Sequence, residues 1–288
     1  MNTKEIIIAT ALLTISSLGF SSEAEHPTDN PSFSNTKSDR ASIGNGYFQT
    51  YSKSFHSGEP KAIGVKFPKA TLDSLPMHPV NDAKTCYDLD ANNEVDADLE
   101  CTGGHSRTLY FNNALTPFNS ITVNWEPHGH VPSGIYDSPH FDFHFYMYPE
   151  IERQKILPGP CPGVMNCMQQ QKAIEPVPAQ YIPPDYINTE LAFARMGNHY
   201  VDETSPELNG EEFTHTFILG SYDSKVTFYE PMLSRHYLLT KPRTCVPIKQ
   251  PSAFEISGYY PTKYCMRYNP NNEMYKVSLE GFVYRNAG

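Results

Sequence analysis

Apolar and polar residues alternate along most of the hydrophobic stretches of this chain, and a period of two predicts strands. GYFQTYSKSF (46–55), AIGVKF (62–67), RTLYF (107–111), SITVNW (120–125), HFDFHFYMY (140–148), FTHTFIL (213–219), KVTFYEPM (225–232) and YKVSLEGFVY (275–284) read this way, with aromatic and β-branched residues prominent. SYDSK (221–225) separates two of these runs and predicts a hairpin turn with Asp223 and Ser224 at its tip. Helical spacing is confined to ATLDSLP (70–76), where Leu72 and Leu75 can share a buried face, and to PEIERQKIL (149–157). Residues 158–186 hold seven prolines and two cysteines and predict a long, stapled surface excursion. The expected fold is mainly β: a single β-sandwich or barrel-like domain with short helices and long Pro-rich, disulfide-stapled loops.

The pattern changes at the N-terminus. Lys4 precedes an apolar run from Ile6 to about Phe20, and Ser22-Glu23-Ala24 places small residues at the two cleavage-specifying positions. Residues 1–24 therefore read as a secretory signal peptide. The run is too short and too rich in Thr and Ser for the alternative, an uncleaved anchor, to be preferred. Residues 25–42 are polar and punctuated by Pro and Asn, and read as a disordered linker. No second composition break follows, so 43–288 is expected to be one domain.

Composition narrows the function classes. The 288-residue chain carries a formal net charge of -10 and no basic run. Phosphate backbones and anionic lipid surfaces are recognised by clustered Lys and Arg, so neither nucleic acid nor a membrane surface is an expected partner, and no stable membrane span is expected after signal cleavage. A homo-oligomer and a small-molecule ligand of unspecified class stay open. Export to the periplasm or the extracellular space places the six cysteines in an oxidising compartment. Pairing neighbour with neighbour gives Cys86–Cys101, Cys161–Cys167 and Cys245–Cys265, each closing a short polar or Pro-rich loop. There is no C-x-x-C pair to suggest a thiolate zinc site. There is also no G-x-S-x-G elbow and no phosphate-cradling glycine loop.

The chemistry concentrates in HGHVPSGIYDSPHFDFHFY, residues 128–146. On a strand, His140, Asp142 and His144 face one way and Phe141, Phe143 and Phe145 the other. Residues i and i+2 are roughly 7 Å apart along a strand and i and i+4 roughly 13 Å, whereas metal–nitrogen bonds are about 2.1 Å. His140 and His144 therefore cannot share one ion on a straight strand. The economical site is one pair from this strand joined by His128 or His130. His199, Asp202, His215 and Glu230 are further candidates downstream. Two histidines and a carboxylate with open positions suit zinc, manganese or iron. The competing reading is a buried polar network in a non-catalytic envelope, stress or ligand-binding protein, and the many tyrosines allow a glycan binder. A second, acidic constellation at 88–100 spaces Asp88, Asp90, Asn92, Glu94 and Asp96 like a calcium loop, but Asn93 stands where glycine is needed and Glu100 comes one residue late. A solvated acidic loop is the preferred reading there.

The string WEPHGHVPSGIYDSPHFDFHFY, together with GNGYF…GEPKAIGVKF, MGNHYVD, FILGSYDSKVTFYEPM and GYYPTKY, resembles a family of secreted bacterial proteins whose shared domain has no assigned reaction. The resemblance covers about residues 43–285. It implies a β-rich fold and, position by position, motif histidines at His130, His140, His144 and His199 with Asp142 and Glu230 beside them. The segments 86–101 and 161–167 depart from the pattern and read as local elaborations. The expected function is an exported protein with a divalent-metal site built from His130, His140, Asp142 and His144, supported by His128, His199 and Glu230. Whether it is an enzyme is left open.

Overall fold

In a computed structural model that describes residues 38–78, 94, 104–112, 115–159 and 167–288, two antiparallel sheets pack face to face. In chain order the elements are β1 (Arg40–Ile43), β2 (Gly46–Ser54), β3 (Pro60–Pro68), α1 (Lys69–Asp73), β4 (His105–Tyr110), β5 (Ser120–Glu126), β6 (His140–Tyr146), α2 (Glu150–Arg153) and α3 (Cys167–Ile174). They continue with β7 (Tyr186–Phe193), β8 (Gly197–Asp202), β9 (His215–Tyr222), β10 (Lys225–Ser234), α4 (Arg235–Leu239), β11 (Arg243–Pro247), β12 (Gly258–Tyr260), β13 (Lys263–Asn269), β14 (Met274–Glu280) and β15 (Val283–Arg285). The first sheet has the order β1-β2-β3-β14-β13-β11 and the second β4-β5-β6-β10-β9-β8-β7, with β12 and β15 paired separately. The fold is thus mainly β and sandwich-like, as the alternation predicts.

The core forms where the apolar faces meet. Phe48 and Phe67 from the first sheet lie 5.8 and 6.2 Å from Phe141, and Phe217 lies 5.2 Å from Tyr264, centroid to centroid. Phe141, Phe143, Phe145, Val123 and Trp125 are fully buried there. Aromatic rings of this size contribute on the order of 2–3 kcal/mol each by burial, so β5 and β6 are pinned with their apolar sides inward. A one-residue slip would exchange the two faces, so core packing also fixes which way the polar positions point.

Several expectations need correction. β1 begins inside the span read as linker, 25–42: Arg40 pairs with Gln49 and Ile43 with Gly46, so the ordered domain starts before residue 43. The Cys245–Cys265 disulfide is present as read, joins directly opposed residues of β11 and β13, and closes the 20-residue separation between them. The 158–186 segment is not wholly irregular, since α3 lies within it and buries Ala173. The hairpin at Asp223 and Ser224 forms as read, both residues adopting positive φ (57° and 58°). The signal peptide, most of the linker, the acidic 88–100 segment apart from Glu94, and the pairings that involve Cys86, Cys101 and Cys161 lie outside the described residues. Among the described residues, no helix is long and apolar enough to cross a membrane.

Candidate metal centre

The outer face of the second sheet is polar for the reason its inner face is not. Cross-strand register places Glu126 opposite His140, Asn124 opposite Asp142 and Thr122 opposite His144. On the other side of β6, Tyr229 pairs with Phe145 and Met232 with Asp142, which sets Glu230 opposite His144. His199 on β8 pairs with Gly220 on β9. Directly opposed residues share a face, so these side chains form one polar surface backed by the phenylalanine core. Most of it is covered: His140, Asp142, His144, Glu230, Glu126, Asn124 and Thr122 are buried.

Of the seven candidate ligands, all but His128 fall into two groups, each with two imidazoles and one carboxylate. The first is His130, His140 and Asp142, the second His144, His199 and Glu230, and within each the donor atoms lie within 4.8 Å of one another. In the first, Asp142 reaches both histidines, with Oδ1 3.2 Å from His140 Nε2 and Oδ2 3.5 Å from His130 Nε2. In the second, Glu230 Oε1 is 3.3 Å from His144 Nε2 and Oε2 is 3.9 Å from His199 Nε2. Two atoms bonded to one ion at about 2.1 Å and 90–110° stand roughly 3.0–3.4 Å apart, so the closer contact in each group already matches ligand spacing.

The ring orientations carry more information. Nδ1 of His130 lies 2.7 Å from the Val131 carbonyl, Nδ1 of His140 2.7 Å from the Ser138 carbonyl, and Nδ1 of His199 3.1 Å from the Leu191 carbonyl. A carbonyl only accepts, so in each ring Nδ1 donates and Nε2 presents its lone pair to the carboxylate in the neutral form. Local sequence builds each contact. Gly129 has φ +73°, and a Cβ there would fall 2.1 Å from the Tyr136 carbonyl, so the His-Gly-His turn needs its glycine to bring His130 back over the sheet. The β7–β8 register shifts between Asn188 and Ala192, and this bulge turns the Leu191 carbonyl onto His199. Gly129 also breaks the strand alternation, which leaves His128 exposed and bonded to the Met77 carbonyl, 3.0 Å away.

Electrostatics separates the groups. For His130, burial favours the neutral ring, but the hydrogen bond and charge of Asp142 outweigh it and carry the pKa up to about 9. Burial by itself would raise Asp142, yet His140 and His130 hold it well below the usual carboxylate range. In the second group burial dominates: His144 is pushed down to about 3 and His199 to about 4. Glu230 is raised well above its ordinary value, by burial first and then by the charges of Asp142 and Glu126. The first group therefore carries a buried ion pair near neutral pH, and the second is made of neutral groups. Access differs too, since the His130 side chain is 30% exposed and His199 12%, against 4% or less for the other four.

Two residues on this face escaped sequence reasoning. Glu126 ends β5, accepts the Gly104 N–H at 2.6 Å, and has its pKa pushed up to about 8 by burial and then by Asp142. Its signal was present: Ser120, Thr122, Asn124 and Glu126 alternate with Ile121, Val123 and Trp125 as the histidines alternate with phenylalanines. Arg153 lies in α2 and is also buried, but nothing in PEIERQKIL distinguishes it from a surface arginine. The other downstream candidates lie elsewhere. His215 faces Tyr264, 2.9 Å from its hydroxyl, and Asp202 pairs with Lys249 at 2.8 Å. A third group, Cys245, Cys265 and Glu280, offers no thiolate, because its sulfurs are bonded to each other and Glu280 pairs with Arg267. No family model, curated protein or solved structure matches the chain.

Proposed function

We propose that this is an exported divalent-metal protein whose polar sheet face holds ions at His130–His140–Asp142 and at His144–His199–Glu230. The observation that carries the reading is that, of the buried polar atoms left without hydrogen bonds among the described residues, five belong to these two groups: His140 Nε2, Asp142 Oδ1, both ring nitrogens of His144, and Glu230 Oε2. His140 Nε2 and Asp142 Oδ1 lie 3.2 Å apart, yet their geometry is not that of a hydrogen bond. Each orphaned buried polar atom costs about 1–3 kcal/mol, so five of them together would rival the ~5–15 kcal/mol stability of a whole domain. A cation shared by lone pairs removes most of that cost, since it can take every one of these atoms except the second ring nitrogen of His144. Two histidines and one carboxylate per ion leave coordination positions open, as in sites for iron, manganese or zinc. A bound ion of this kind supplies Lewis acidity or an activated water, which is the basis for reading the protein as a metal-dependent enzyme. Export is supported by the Cys245–Cys265 disulfide together with the N-terminal apolar run.

The alternative is a proton-filled network, in which neutral Glu230 and the neutral imidazoles share hydrogens and no ion enters. Elemental analysis of the mature protein, purified without a His-tag or chelator, separates the two. One ion for each group is expected, with His140→Ala and His144→Ala each removing the ion of its own group from a protein that still folds. No metal in any of the three, after reconstitution with zinc, manganese, iron and copper, would overturn the metal reading in favour of the network.

A further inference from the structure

Among the described residues, the buried arginine beside the second group has no acidic partner. Arg153 is 5% exposed, and a guanidinium stays charged in proteins. Its hydrogen bonds among the described residues run from Nη2 to Thr122 Oγ1 at 3.2 Å and from Nη1 to the Arg195 carbonyl at 3.4 Å. Its Nε is buried without an acceptor. Its planar head lies 3.7 Å over the Tyr146 ring, and Tyr146 in turn stacks on His144 with centroids 5.7 Å apart and ring planes 10° off parallel. Thr122 is the cross-strand neighbour of His144. The guanidinium therefore sits on the same polar face, beside His144, and its positive charge contributes to keeping that ring neutral. A buried cation needs a counter-charge, and the carboxyl group of the second group, Glu230, is turned toward His144 and His199.

We infer that Arg153 is the anchor for a small oxyanion, a carboxylate or phosphate group, that binds on the polar face beside the His144–His199–Glu230 group. The inference deepens the metal reading and rests on it for one point only: an ion with open positions at that group would share the anion with Arg153. Arginine suits this task because its planar fork matches the two oxygens of a carboxylate or phosphate, and because charge-assisted hydrogen bonds in a water-poor site are the strong ones. Tyr146 holds the guanidinium flat by a cation–π contact, and Nε on its edge is the nitrogen left without an acceptor for the ligand to meet. The substrate class implied is an anionic small molecule, in a protein whose net charge of -10 would otherwise repel it.

Calorimetric titration with acetate and with inorganic phosphate tests this on wild-type protein and on Arg153→Gln and Arg153→Lys, each metal-free and loaded with cobalt(II), whose absorption spectrum reports its coordination. Wild type is expected to bind one of the two anions, with a change in the cobalt spectrum on binding. Arg153→Gln should weaken the anion by roughly tenfold or more, the size of one charge-assisted hydrogen bond, with cobalt affinity nearly unchanged. Arg153→Lys keeps the charge without the fork and should recover part of the loss, and it serves as the folded comparison if the glutamine variant is unstable. Equal anion affinity in wild type and both variants, or no binding of either anion to wild type, would overturn the inference. Failure of cobalt to bind while anion binding still depends on Arg153 would overturn the metal reading and leave the oxyanion site standing.

Discussion

Nε2 of His144 and Oε1 of Glu230 face each other at 3.3 Å across the β6–β10 pair, and neither residue carries charge near neutral pH. Burial holds His144 down to about 3 and Glu230 well above its ordinary value. Glu230→Gln therefore swaps one neutral group for another of the same shape in the metal-free protein. Its unfolding midpoint should shift by no more than about 2–4 °C, the equivalent of ~1 kcal/mol for a domain of this size. Metal affinity at this group should fall by ~100-fold or more, because the amide cannot supply a carboxylate ligand. If the pair were a buried salt bridge, the same substitution would cost about 3–5 kcal/mol with no ion involved. Thermal unfolding and metal-competition titration of one variant thus decide between the two.

The pH dependence of the metal-free protein should have two limbs of opposite sign. His130 has a folded-state pKa of about 9 against 6.5 in the unfolded chain, so its stabilising contribution is complete below 6.5 and is lost as pH rises through 9. Glu126, at about 8, acts in the same direction, because the folded state keeps a proton that the unfolded chain releases above 4.5. His144 and His199, at about 3 and 4, act the other way: the unfolded chain takes up protons below 6.5 that the folded state refuses, so stability falls on acidification toward 4. A stability maximum near pH ~6 is expected in thermal melts between pH 4 and 9. Saturating zinc should flatten or reverse the alkaline limb, since the ion displaces the His130 proton and binds more tightly as pH rises. Metal-free stability that climbs steadily from pH 6.5 to 9 would contradict this assignment.

Strands β5, β6, β9 and β10 were legible in the sequence because their period is local, and each emerges within a residue or two at most ends. β7, β8 and β11 were missed because they carry Asn, Glu, Gly or Arg where a pattern needs apolar residues, so only sheet pairing makes them strands, whereas β13 was missed although Tyr264, Met266 and Tyr268 alternate in it. The same distinction governs the site. His140, Asp142 and His144 on one face follow from alternation, and the impossibility of one ion bridging His140 and His144 follows from rise per residue. That Asp142 turns to His140 while Glu230 takes His144 depends on the β6–β10 register, which has no local signature. Arg153 was unreadable for a related reason, because burial of a helix-end arginine is decided by what packs over the helix.

The disulfide and the polar face should be energetically separate. Cys245 and Cys265 are directly opposed on β11 and β13, in the sheet that does not carry the histidines, and they close a separation of 20 residues. Loop-closure entropy for that length is worth about 3 kcal/mol. The Cys245→Ala, Cys265→Ala double variant should lose roughly that much stability in denaturant titration while retaining its full metal content. Loss of metal in parallel with stability would mean that the two sheets do not behave independently.

A last prediction concerns a residue that touches no ligand. Gly220 on β9 pairs with His199 on one side and with Phe228 on the other. A Cβ placed on Gly220 would fall 1.8 Å from the Phe228 ring, so the ring must move. It has little room, since it packs edge-on against His144 with centroids 4.9 Å apart and against His199 at 5.4 Å. Gly220→Ala should therefore cost about 1–3 kcal/mol by overpacking and displace the two imidazoles that Phe228 holds apart. The ion at His144–His199–Glu230 should be lost or weakened, and the ion at His130–His140–Asp142, whose rings do not contact Phe228, should stay. Adding Phe228→Leu removes the clash and should restore metal binding to the second group, with elemental analysis and thermal unfolding as the readouts. Should Gly220→Ala alone keep both ions at wild-type affinity, Phe228 would not be what sets the spacing of His144 and His199.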